Sequence, residues 1–468
     1  MTIRFRLNGE PIEAEGVDPH VPLLHFLRDR GLTGTKEGCA EGECGACAVV
    51  VVRRGPDGKT RFSPINSCLV LTPAVHGQEL WTVEGLADAP DALHPVQAAM
   101  VEKGGSQCGY CTPGFVMSLF AEYYRPGRAP GEVDPEAISG NLCRCTGYRP
   151  IRDVLVELGA PRKDRHAERL GAPAPAPEPA AHEAGGVAFR RPTTLAALFE
   201  ALAELPEAKL VAGGTDVVVE INQRDARFDA LIALDAVEEL RFHEETDDAI
   251  TLGAGVPLAE VEEALHGRVP VLDELWPLFS SRLIRNRATL GGNLVNASPI
   301  GDSPPALLSL DAEVVLVSAK GERSLPLADF FTGYRQTALA PGEILKAVRI
   351  PKPLPSIGRF YKVSKRVLDD ISTVAAGFGL WLADGVVTKA RLGYGGVAAT
   401  PVRATAAEQA LEGKPWNAAT VAQALPLLEG AFTPLTDHRG SAAYRRAMVP
   451  KLLEKLLADT TTPAEAAE

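Results

Sequence analysis

The sequence predicts a multidomain protein of the α+β class, and three observations support this. The chain has 468 residues, enough for about three domains at roughly 150 residues each. Hydrophobic residues make up 46% and charged residues 23% of the chain, a composition typical of domains that bury a core. The hydrophobic pattern changes from strand-like to helix-like near residue 82, and a Pro/Ala-rich stretch at 171–186 precedes a mixed second half.

The first predicted domain, residues 1–82, is rich in strands. Residues 2–7 alternate between apolar and polar side chains, and Asn8-Gly9 follows them as a turn. Residues 48–52 are solidly apolar, as a buried strand would be. We therefore expect a small sheet at the start of the chain.

The second predicted domain, residues 83–160, is helical. Apolar residues recur at helical spacing over 94–103, 113–124 and 149–158. Pro113 stands where the first turn of a helix tolerates proline. This part of the chain is therefore predicted to be mainly helical.

Residues 161–186 are predicted to be an extended linker, because the run GAPAPAPEPAAHEAGG cannot bury a core. Beyond it, residues 187–355 mix short strands, glycine-rich turns and helices. Residues 356–460 form a last unit, with alternating strands followed by helices rich in Ala and Leu. The second half is therefore predicted to hold two further domains.

The charge balance excludes some classes of function. The net charge is −12, whereas a general nucleic-acid binder needs cationic surface to neutralise phosphates. The N-terminus has no apolar signal core, and no apolar run reaches the roughly 18 residues of a membrane span. We expect a cytoplasmic protein that binds neither nucleic acid nor membrane.

All eight cysteines lie in the first third of the chain. They are Cys39, Cys44, Cys47, Cys68, Cys108, Cys111, Cys143 and Cys145. Disulfides suit small secreted chains, so a long chain without an export signal argues against them. Structural zinc and iron–sulfur clusters are the alternatives, and the spacing of the cysteines favours iron–sulfur.

The first cysteine set is Cys39-x4-Cys44-x2-Cys47, with Cys68 after a further 20 residues. A loop that carries three thiolates and is closed by one distant ligand is the plant-type ferredoxin pattern for a 2Fe–2S cluster. Structural zinc more often shows paired C-x2-C knuckles. Glycines crowd this loop, which lets the backbone bend around a cluster.

The second set pairs Cys108-x2-Cys111 with Cys143-x-Cys145. Each pair precedes a predicted helix, and the positive ends of two helices would stabilise an anionic cluster. A C-x-C pair is awkward for tetrahedral zinc but acceptable on two irons. This set therefore predicts a second 2Fe–2S cluster.

Three motifs then reveal a family resemblance: KEGCAEGECGAC at 36–47, GSQCGYCTPG at 105–114 and GNLCRCTGY at 140–148. They resemble the molybdenum hydroxylase family, and within it the xanthine dehydrogenase group. The resemblance implies a ferredoxin-like β-grasp domain with one 2Fe–2S cluster, followed by a helical-bundle domain with the second. It places every cysteine at a ligand position, and it implies that Gln107 contacts the molybdopterin.

Two glycine-rich segments mark the second half: LVAGGTDVVVE at 210–220 and ATLGGNLVNASPIGD at 288–302. Glycine pairs allow a backbone to approach phosphate oxygens closely. Each alone is weak, since most Gly-Gly turns are only turns. No G-x-G-x-x-G follows a strand, so a Rossmann domain is not indicated.

In this order, after two cluster domains, the segments resemble the flavin part of the same family. The resemblance implies a vanillyl-alcohol-oxidase-like FAD domain and an α/β C-terminal flavoprotein domain. The residues that it places against FAD are Leu210, Val211, Ala212, Gly213, Gly214, Thr215, Asp216, Val217, Phe279, Thr289, Leu290, Gly291, Gly292, Asn293, Asp302, Leu345 and Lys362. Phe279 would lie beside the flavin ring, although a core phenylalanine is an equal alternative, and Asp302 would bind the adenine end or ribose.

The resemblance implies an electron-transfer subunit of a xanthine dehydrogenase that oxidises hypoxanthine and xanthine to urate. Electrons would leave a molybdenum site in a large molybdopterin-binding partner subunit, pass through the two 2Fe–2S clusters to FAD, and reach NAD. It implies a heterotetramer, a dimer of heterodimers. We assign no catalytic acid, base or nucleophile to this chain.

Three alternatives stay open. The partner could hydroxylate an aldehyde or another N-heterocycle, because the substrate pocket would lie outside this chain. Oxygen could replace NAD as the acceptor. A zinc-binding interaction module without redox activity is the third alternative, and its lack of colour would distinguish it from a red-brown flavin and iron–sulfur protein.

Overall fold

The computed structural model describes residues 2–89, 92–129 and 131–461. The chain forms two compact units. The first unit comprises the chain up to Glu238 together with Pro257–Glu260 and Ser281–Thr289. The second comprises Glu239–Val256, Val261–Ser280 and the chain from Leu290 onwards.

The first unit opens with a five-stranded sheet that one helix covers. Its elements are β1 (Ile3–Leu7), β2 (Glu10–Ala14), α1 (Leu23–Asp29), β3 (Ala48–Arg54), β4 (Thr60–Asn66) and β5 (Glu79–Trp81). The strand order is β2-β1-β5-β3-β4, and the central pair β1 and β5 is parallel. Alternating side chains of β1 bury Ile3, Phe5 and Leu7 in a core that includes Leu23 and Leu27 of α1.

Four helices follow: α2 (Pro95–Glu102), α3 (Thr112–Tyr123), α4 (Arg149–Val156) and α5 (Arg165–Gly171). The middle of α3 is buried on all sides, including Phe115 and Phe120. Its neighbours in the core include β3 and β4 of the sheet. The sheet and the helices therefore share one core, which holds the two cysteine-bearing regions together.

A buried polar chain joins three of these helices. His94 caps α2 through its Nδ1, which accepts a hydrogen bond from the Val96 amide. Its Nε2 lies 3.0 Å from the Tyr124 hydroxyl, which in turn donates to Asp164 at 2.6 Å. Burial, with a contribution from the neighbouring His166 ring, lowers the pKa of His94 to about 3.

This depressed pKa predicts acid sensitivity. His94 is neutral when folded, whereas the unfolded side chain binds a proton below about pH 6.5, so stability falls as the pH drops from there towards the folded pKa. Between about pH 6.5 and about pH 5 the loss is about 1.5 kcal/mol for this imidazole. The prediction is checked by urea unfolding of the wild type and of His94→Asn, a variant that keeps a capping oxygen. The free energy of unfolding should fall less with decreasing pH in the variant than in the wild type. Equal losses would contradict the prediction.

The remaining sheet of the first unit contains the strand that leads into the first glycine-rich segment. Its elements are β6 (Ala180–Ala184), β7 (Val187–Arg191), α6 (Leu195–Glu204), β8 (Lys209–Val211), α7 (Val217–Arg224) and β9 (Ala230–Ala233). The strand order is β6-β7-β9-β8, and β8 and β9 are parallel.

The segment predicted as a linker, 161–186, contains α5 and β6. Asp164 caps α5, and α5 buries His166 against Trp81 and Phe120. Residues 161–164, 172–179 and 185–186 of this segment lie outside the helix and the strand. Composition alone does not show these contacts, because they depend on one capping aspartate and one buried histidine.

Between residues 239 and 310 the chain contributes to both units. The elements are β10 (His243–Glu245), β11 (Ala249–Gly253), α8 (Leu258–Leu265), α9 (Pro270–Leu275), α10 (Arg282–Arg285), α11 (Leu290–Val295) and α12 (Ser303–Ser309). In the first unit, α10 packs on the short 3-10 helix Pro135–Ile138 and on β4. Arg282 pairs with Asp134 at 2.9 Å, and the buried Arg285 pairs with Glu136.

The second unit contains two larger sheets and three further helices. The strands are β12 (Glu313–Ser318), β13 (Gly321–Pro326), β14 (Phe331–Gly333), β15 (Gln336–Thr337), β16 (Ile344–Pro351), β17 (Ile357–Val363), β18 (Val374–Ala383), β19 (Val386–Gly395) and β20 (Val402–Arg403). The helices are α13 (Thr405–Leu411), α14 (Ala418–Glu429) and α15 (Ala442–Thr461). One sheet has the order β10-β11-β16-β12-β13 and the other β17-β18-β19-β20.

Helix α12 lies directly on β18 and β19. A side chain at Gly377 of β18 would come within 2.3 Å of the Pro305 carbonyl, so only glycine permits this approach. The approach fixes the start of α12 and with it Asp302, the residue just before the helix. Among the described residues, no helix has the length and apolar character to span a bilayer.

Candidate functional site

The first cysteine set occupies the loop between α1 and β3 and the 3-10 turn Ser67–Leu69. Cys47 and Cys68 are buried, with their sulfur atoms 3.3 Å apart. Cys39 and Cys44 form a second pair, in which the Cys44 amide donates to the Cys39 sulfur at 3.4 Å. The structure therefore brings the four predicted ligands together as two pairs.

The thiols of this set perturb one another. Hydrogen bonding from Cys44, together with backbone amides, lowers the pKa of Cys39 to about 5 against the effect of burial. The same bond raises the pKa of Cys44. Hydrogen bonding to Cys47, burial and the charges of Cys47 and Cys39 raise the pKa of Cys68. The charge of Cys39 thus contributes to the raised pKa of Cys68, which belongs to the other pair.

The second set lies at the start of α3 and in the loop before α4. Cys111 directly precedes α3 and shares a hydrogen bond with Cys143, which is 6% exposed. Cys108 and Cys145 form the other pair and are exposed. Burial raises the pKa of Cys111 to about 12. Although burial opposes it, hydrogen bonding from Thr146 lowers the pKa of Cys143 to about 7.

The two sets touch through their backbones. The carbonyl of Cys44 accepts a hydrogen bond from the Leu142 amide at 3.0 Å, and Leu142 directly precedes Cys143. Asn141 donates to the Gly45 carbonyl at 3.1 Å and accepts from Ser118 at 2.7 Å. One hydrogen bond and one peptide unit therefore connect a cysteine of the first set to a cysteine of the second.

The residues fit two 2Fe–2S clusters. Each iron of such a cluster takes two thiolates, and each set supplies two pairs. All eight cysteines are free of disulfides. This pairwise arrangement favours two-iron clusters over structural zinc.

Gln107 is exposed beside the exposed Cys108. Sequence reasoning missed Asn141 and Ser118, which hold the two loops together. The signal was present in the GNLCRC motif, where an asparagine stands two residues before a cysteine. An asparagine in such a loop has many uses, and its partner Gly45 is 96 positions away.

The first glycine-rich segment lies in the first unit, between β8 and α7. Gly213 faces the backbone of Arg287, where an added side chain would come within 2.1 Å of the carbonyl. The Arg287 guanidinium donates back to the Gly213 carbonyl at 3.2 Å. The loop is therefore held by Arg287, which directly precedes the second segment. Within that segment Thr289 is buried and forms a β-bridge to Pro257.

The rest of that predicted loop runs through α11 in the second unit. The Gly291 amide donates to the Ala254 carbonyl at 2.9 Å, and the Asn293 side chain accepts from Ser303. Leu345 is buried in β16, and α11 contacts this strand. Phe279 is half-buried, with its ring centroid 6.4 Å from that of Trp276.

Asp302 and Lys362, predicted separately from the sequence, form a buried ion pair. The ammonium of Lys362 lies 2.8 Å from Asp302 and donates to the Leu278 carbonyl at 2.7 Å. Ser372 also donates to Asp302. Burial raises the pKa of Asp302, and Lys362 opposes that shift. The pair connects the start of α12 to β17. Through the bond to Leu278, it also lies close to Phe279 in the sequence.

We expect Lys362→Met to destabilise the second unit strongly. It would leave the Asp302 carboxylate buried without its counter-charge, which costs about 3–5 kcal/mol. Lys365→Met is the matched control, because Lys365 is exposed and donates to the His438 carbonyl and not to a buried carboxylate. The free energy of unfolding, measured with denaturant, and the amount of bound FAD per chain should both fall for Lys362→Met but not for Lys365→Met. Equal unfolding free energies for the two variants would contradict this role.

Comparison with known proteins identifies four matching family models. A 2Fe–2S iron–sulfur cluster binding domain matches residues 5–71, and a second 2Fe–2S binding domain matches 82–155. An FAD binding domain in molybdopterin dehydrogenase matches 185–353. A CO dehydrogenase flavoprotein C-terminal domain matches 359–460.

Among curated proteins, a xanthine dehydrogenase from Emericella nidulans is 33% identical over 99% of this chain and 39% of its own length. Xanthine dehydrogenase 2 from Arabidopsis thaliana is 32% identical over 88% of this chain and 36% of its own length. The chain thus spans about two fifths of the length of the curated relatives it matches.

Solved structures resemble part of the chain. The Cu,Mo-CO dehydrogenase in its cyanide-inactivated form has a chain with 29% identity and a TM-score of 0.54, covering 57% of this chain and 94% of that one. Quinoline 2-oxidoreductase from Pseudomonas putida 86 gives 28% identity and a TM-score of 0.54 over 58% and 95%.

Proposed function

This chain belongs to the molybdenum hydroxylase family as its 2Fe–2S and FAD-binding part, and from this we infer that it transfers electrons between a molybdenum site on a partner subunit and an external acceptor. The observation that supports this most is the backbone hydrogen bond from Leu142 to Cys44. It joins the ligand loops of both cysteine sets within one compact unit.

When bound, the two 2Fe–2S clusters and FAD supply the one-electron and two-electron carriers that such a path needs. The chain's own residues hold and shield them. Cys39, Cys44, Cys47 and Cys68 would ligate the first cluster. Cys108, Cys111, Cys143 and Cys145 would ligate the second. The exposed pair of the second set, with Gln107, would face the molybdopterin of the partner.

The FAD contacts proposed for this chain are the two glycine-rich segments with Phe279, Asp302, Leu345 and Lys362. Gly213 and Gly214 would let the backbone approach the pyrophosphate. The buried Asp302–Lys362 pair would orient the cofactor by fixing the start of α12. No residue of the chain is required as a general acid or base.

We propose xanthine or hypoxanthine as the substrate class, NAD as the acceptor, a heterotetramer as the assembly and the cytoplasm as the location. The curated relatives named xanthine dehydrogenase support this choice. A second candidate is a different small substrate, such as carbon monoxide or an N-heterocycle. The likeness to a CO dehydrogenase and to quinoline 2-oxidoreductase favours that alternative.

The test is a cofactor assay on the natively purified chain with everything that co-purifies. About four irons and about one FAD per chain are expected, with molybdenum only when a large partner is present. The complex is then offered xanthine, quinoline, an aldehyde or carbon monoxide, each with NAD or oxygen. Urate formation with NAD supports the first candidate, and turnover of another substrate supports the second. Zinc without sulfide or flavin would overturn the redox function.

A further inference from the structure

Helix α7 connects the first glycine-rich segment to the first cysteine set. It begins directly after Gly213-Gly214-Thr215-Asp216 and ends at Arg224. Its buried residues Val218 and Ile221 pack in the same core cluster as Cys47 and Cys68. The helix therefore lies against the set that would hold the first cluster, although it belongs to the FAD-binding part of the sequence.

Asn222, near the end of this helix, binds two parts of the cysteine set at once. Its side-chain amide nitrogen donates to the Ala40 carbonyl at 2.9 Å and to the Cys68 carbonyl at 2.8 Å. Both amide hydrogens are thereby used. Cys68 is the ligand most distant in sequence, so Asn222 fastens it to the loop that carries the other three.

The backbone conformation of Ala40, which accepts one of these bonds, is unusual. Its φ is +56°, in the left-handed region that a non-glycine residue rarely adopts without support. Ala40 directly follows Cys39, so its conformation affects the path of the backbone next to this ligand. The bond from Asn222 supports that strained conformation from outside the loop.

Gln223 adds a third bond. Its amide donates to the Cys39 carbonyl at 2.8 Å. The other end of the helix also approaches this set, because a side chain on Gly214 would come within 2.7 Å of the Leu69 carbonyl, next to Cys68. Contacts at both ends therefore fix the helix against the two cysteines Cys39 and Cys68.

We propose that Asn222 and Gln223 are positioning residues that set both the environment of the first cluster and its placement relative to the FAD-binding segment. This rests on the proposed function, since it requires that both groups bind. Hydrogen bonds around a cluster tune its reduction potential. The positive ends of these amide dipoles face the ligand backbone, so they stabilise the reduced, more negative form.

The test compares natively purified wild type with Asn222→Leu, Asn222→Asp and Gln223→Leu. Arg224→Lys is the matched control, because Arg224 is exposed on the same helix turn and this substitution keeps its charge. Redox titration followed by electron paramagnetic resonance gives the midpoint potential of each cluster, and rapid mixing with substrate gives the rate of flavin reduction. The second cluster is an internal control in every sample.

We expect the first cluster to become harder to reduce in the three variants, most in Asn222→Asp, which loses the donor and gains a negative charge. A tenfold fall in its reduction equilibrium constant is about 59 mV for one electron. Flavin reduction should slow about tenfold. The second cluster's potential and all values for Arg224→Lys should match the wild type.

Selective loss of the first cluster from the Asn222 variants, with the second cluster and FAD retained, would also support the positioning role. If those variants fail to fold, Gln223→Leu decides, since its side chain is exposed. Unchanged or raised first-cluster potentials in variants that retain the cluster would overturn the inference alone. A wild type without iron or flavin would instead overturn the proposed function.

Discussion

Replacing Cys143 by alanine should remove about two of about four irons and stop reduction of the flavin by substrate. Cys143 is buried, and its sulfur is hydrogen-bonded to Thr146 and paired with Cys111. Its loss leaves one iron of the second cluster with a single thiolate, and no other cysteine can substitute, because the remaining seven already belong to the two sets.

Cys68→Ala provides the reciprocal experiment. It should remove the first cluster and spare the second. Iron and sulfide should therefore fall by the same amount as in Cys143→Ala, but the electron paramagnetic resonance spectrum should lose the signal of the other cluster. Because cluster binding also contributes folding free energy, both variants should unfold at lower denaturant concentration. Full iron content in either variant would contradict the assignment of its ligand set.

Gly114→Ala should destabilise the first unit by about 1–3 kcal/mol, the usual cost of overpacking. Gly114 is in the first turn of α3, and an added side chain would come within 2.2 Å of the Gly45 carbonyl. Gly45 stands between Cys44 and Cys47, so the loop cannot retreat without moving ligands. Elsewhere in a helix, the same substitution normally stabilises by roughly 0.5–1 kcal/mol.

The expected effect of Gly114→Ala on stability is thus opposite to the usual effect of Gly→Ala in a helix, which makes the two possibilities easy to distinguish. Gly159→Ala is the control, because open space surrounds Gly159, and its effect should stay within about 0.5 kcal/mol. Unfolding free energy and iron per chain should both fall for Gly114→Ala only. A stabilised Gly114→Ala protein with full iron would show that the two cysteine loops do not press against each other as described.

The cysteine sets were predictable because thiolate spacing is a local property of the sequence. Residues 39, 44 and 47 share one loop, and iron chemistry restricts what such a loop can do. The strands and helices before residue 160 were predictable for the same reason, since alternation and helical spacing are local patterns. The structure confirms β3 and the three helices α2, α3 and α4 close to their expected positions.

The contacts between distant segments could not be predicted. Asn222 and Gln223 look like ordinary amides near the end of a helix, and their partners lie 154 to 184 positions away. The Asp302–Lys362 pair spans 60 positions. Its two members were expected near FAD through family resemblance, but no pattern showed that they bind each other.

The two ion pairs of α10 join residues that are synthesised at different times. Glu136 emerges from the ribosome 149 residues before its partner Arg285. At about 5–20 residues per second, that interval is roughly 7–30 s. During it, the cysteine-bearing helices carry an acidic edge at Asp134 and Glu136 that has not yet met its two arginines. All eight cysteines have been synthesised by residue 145, so the complete ligand set emerges before either arginine.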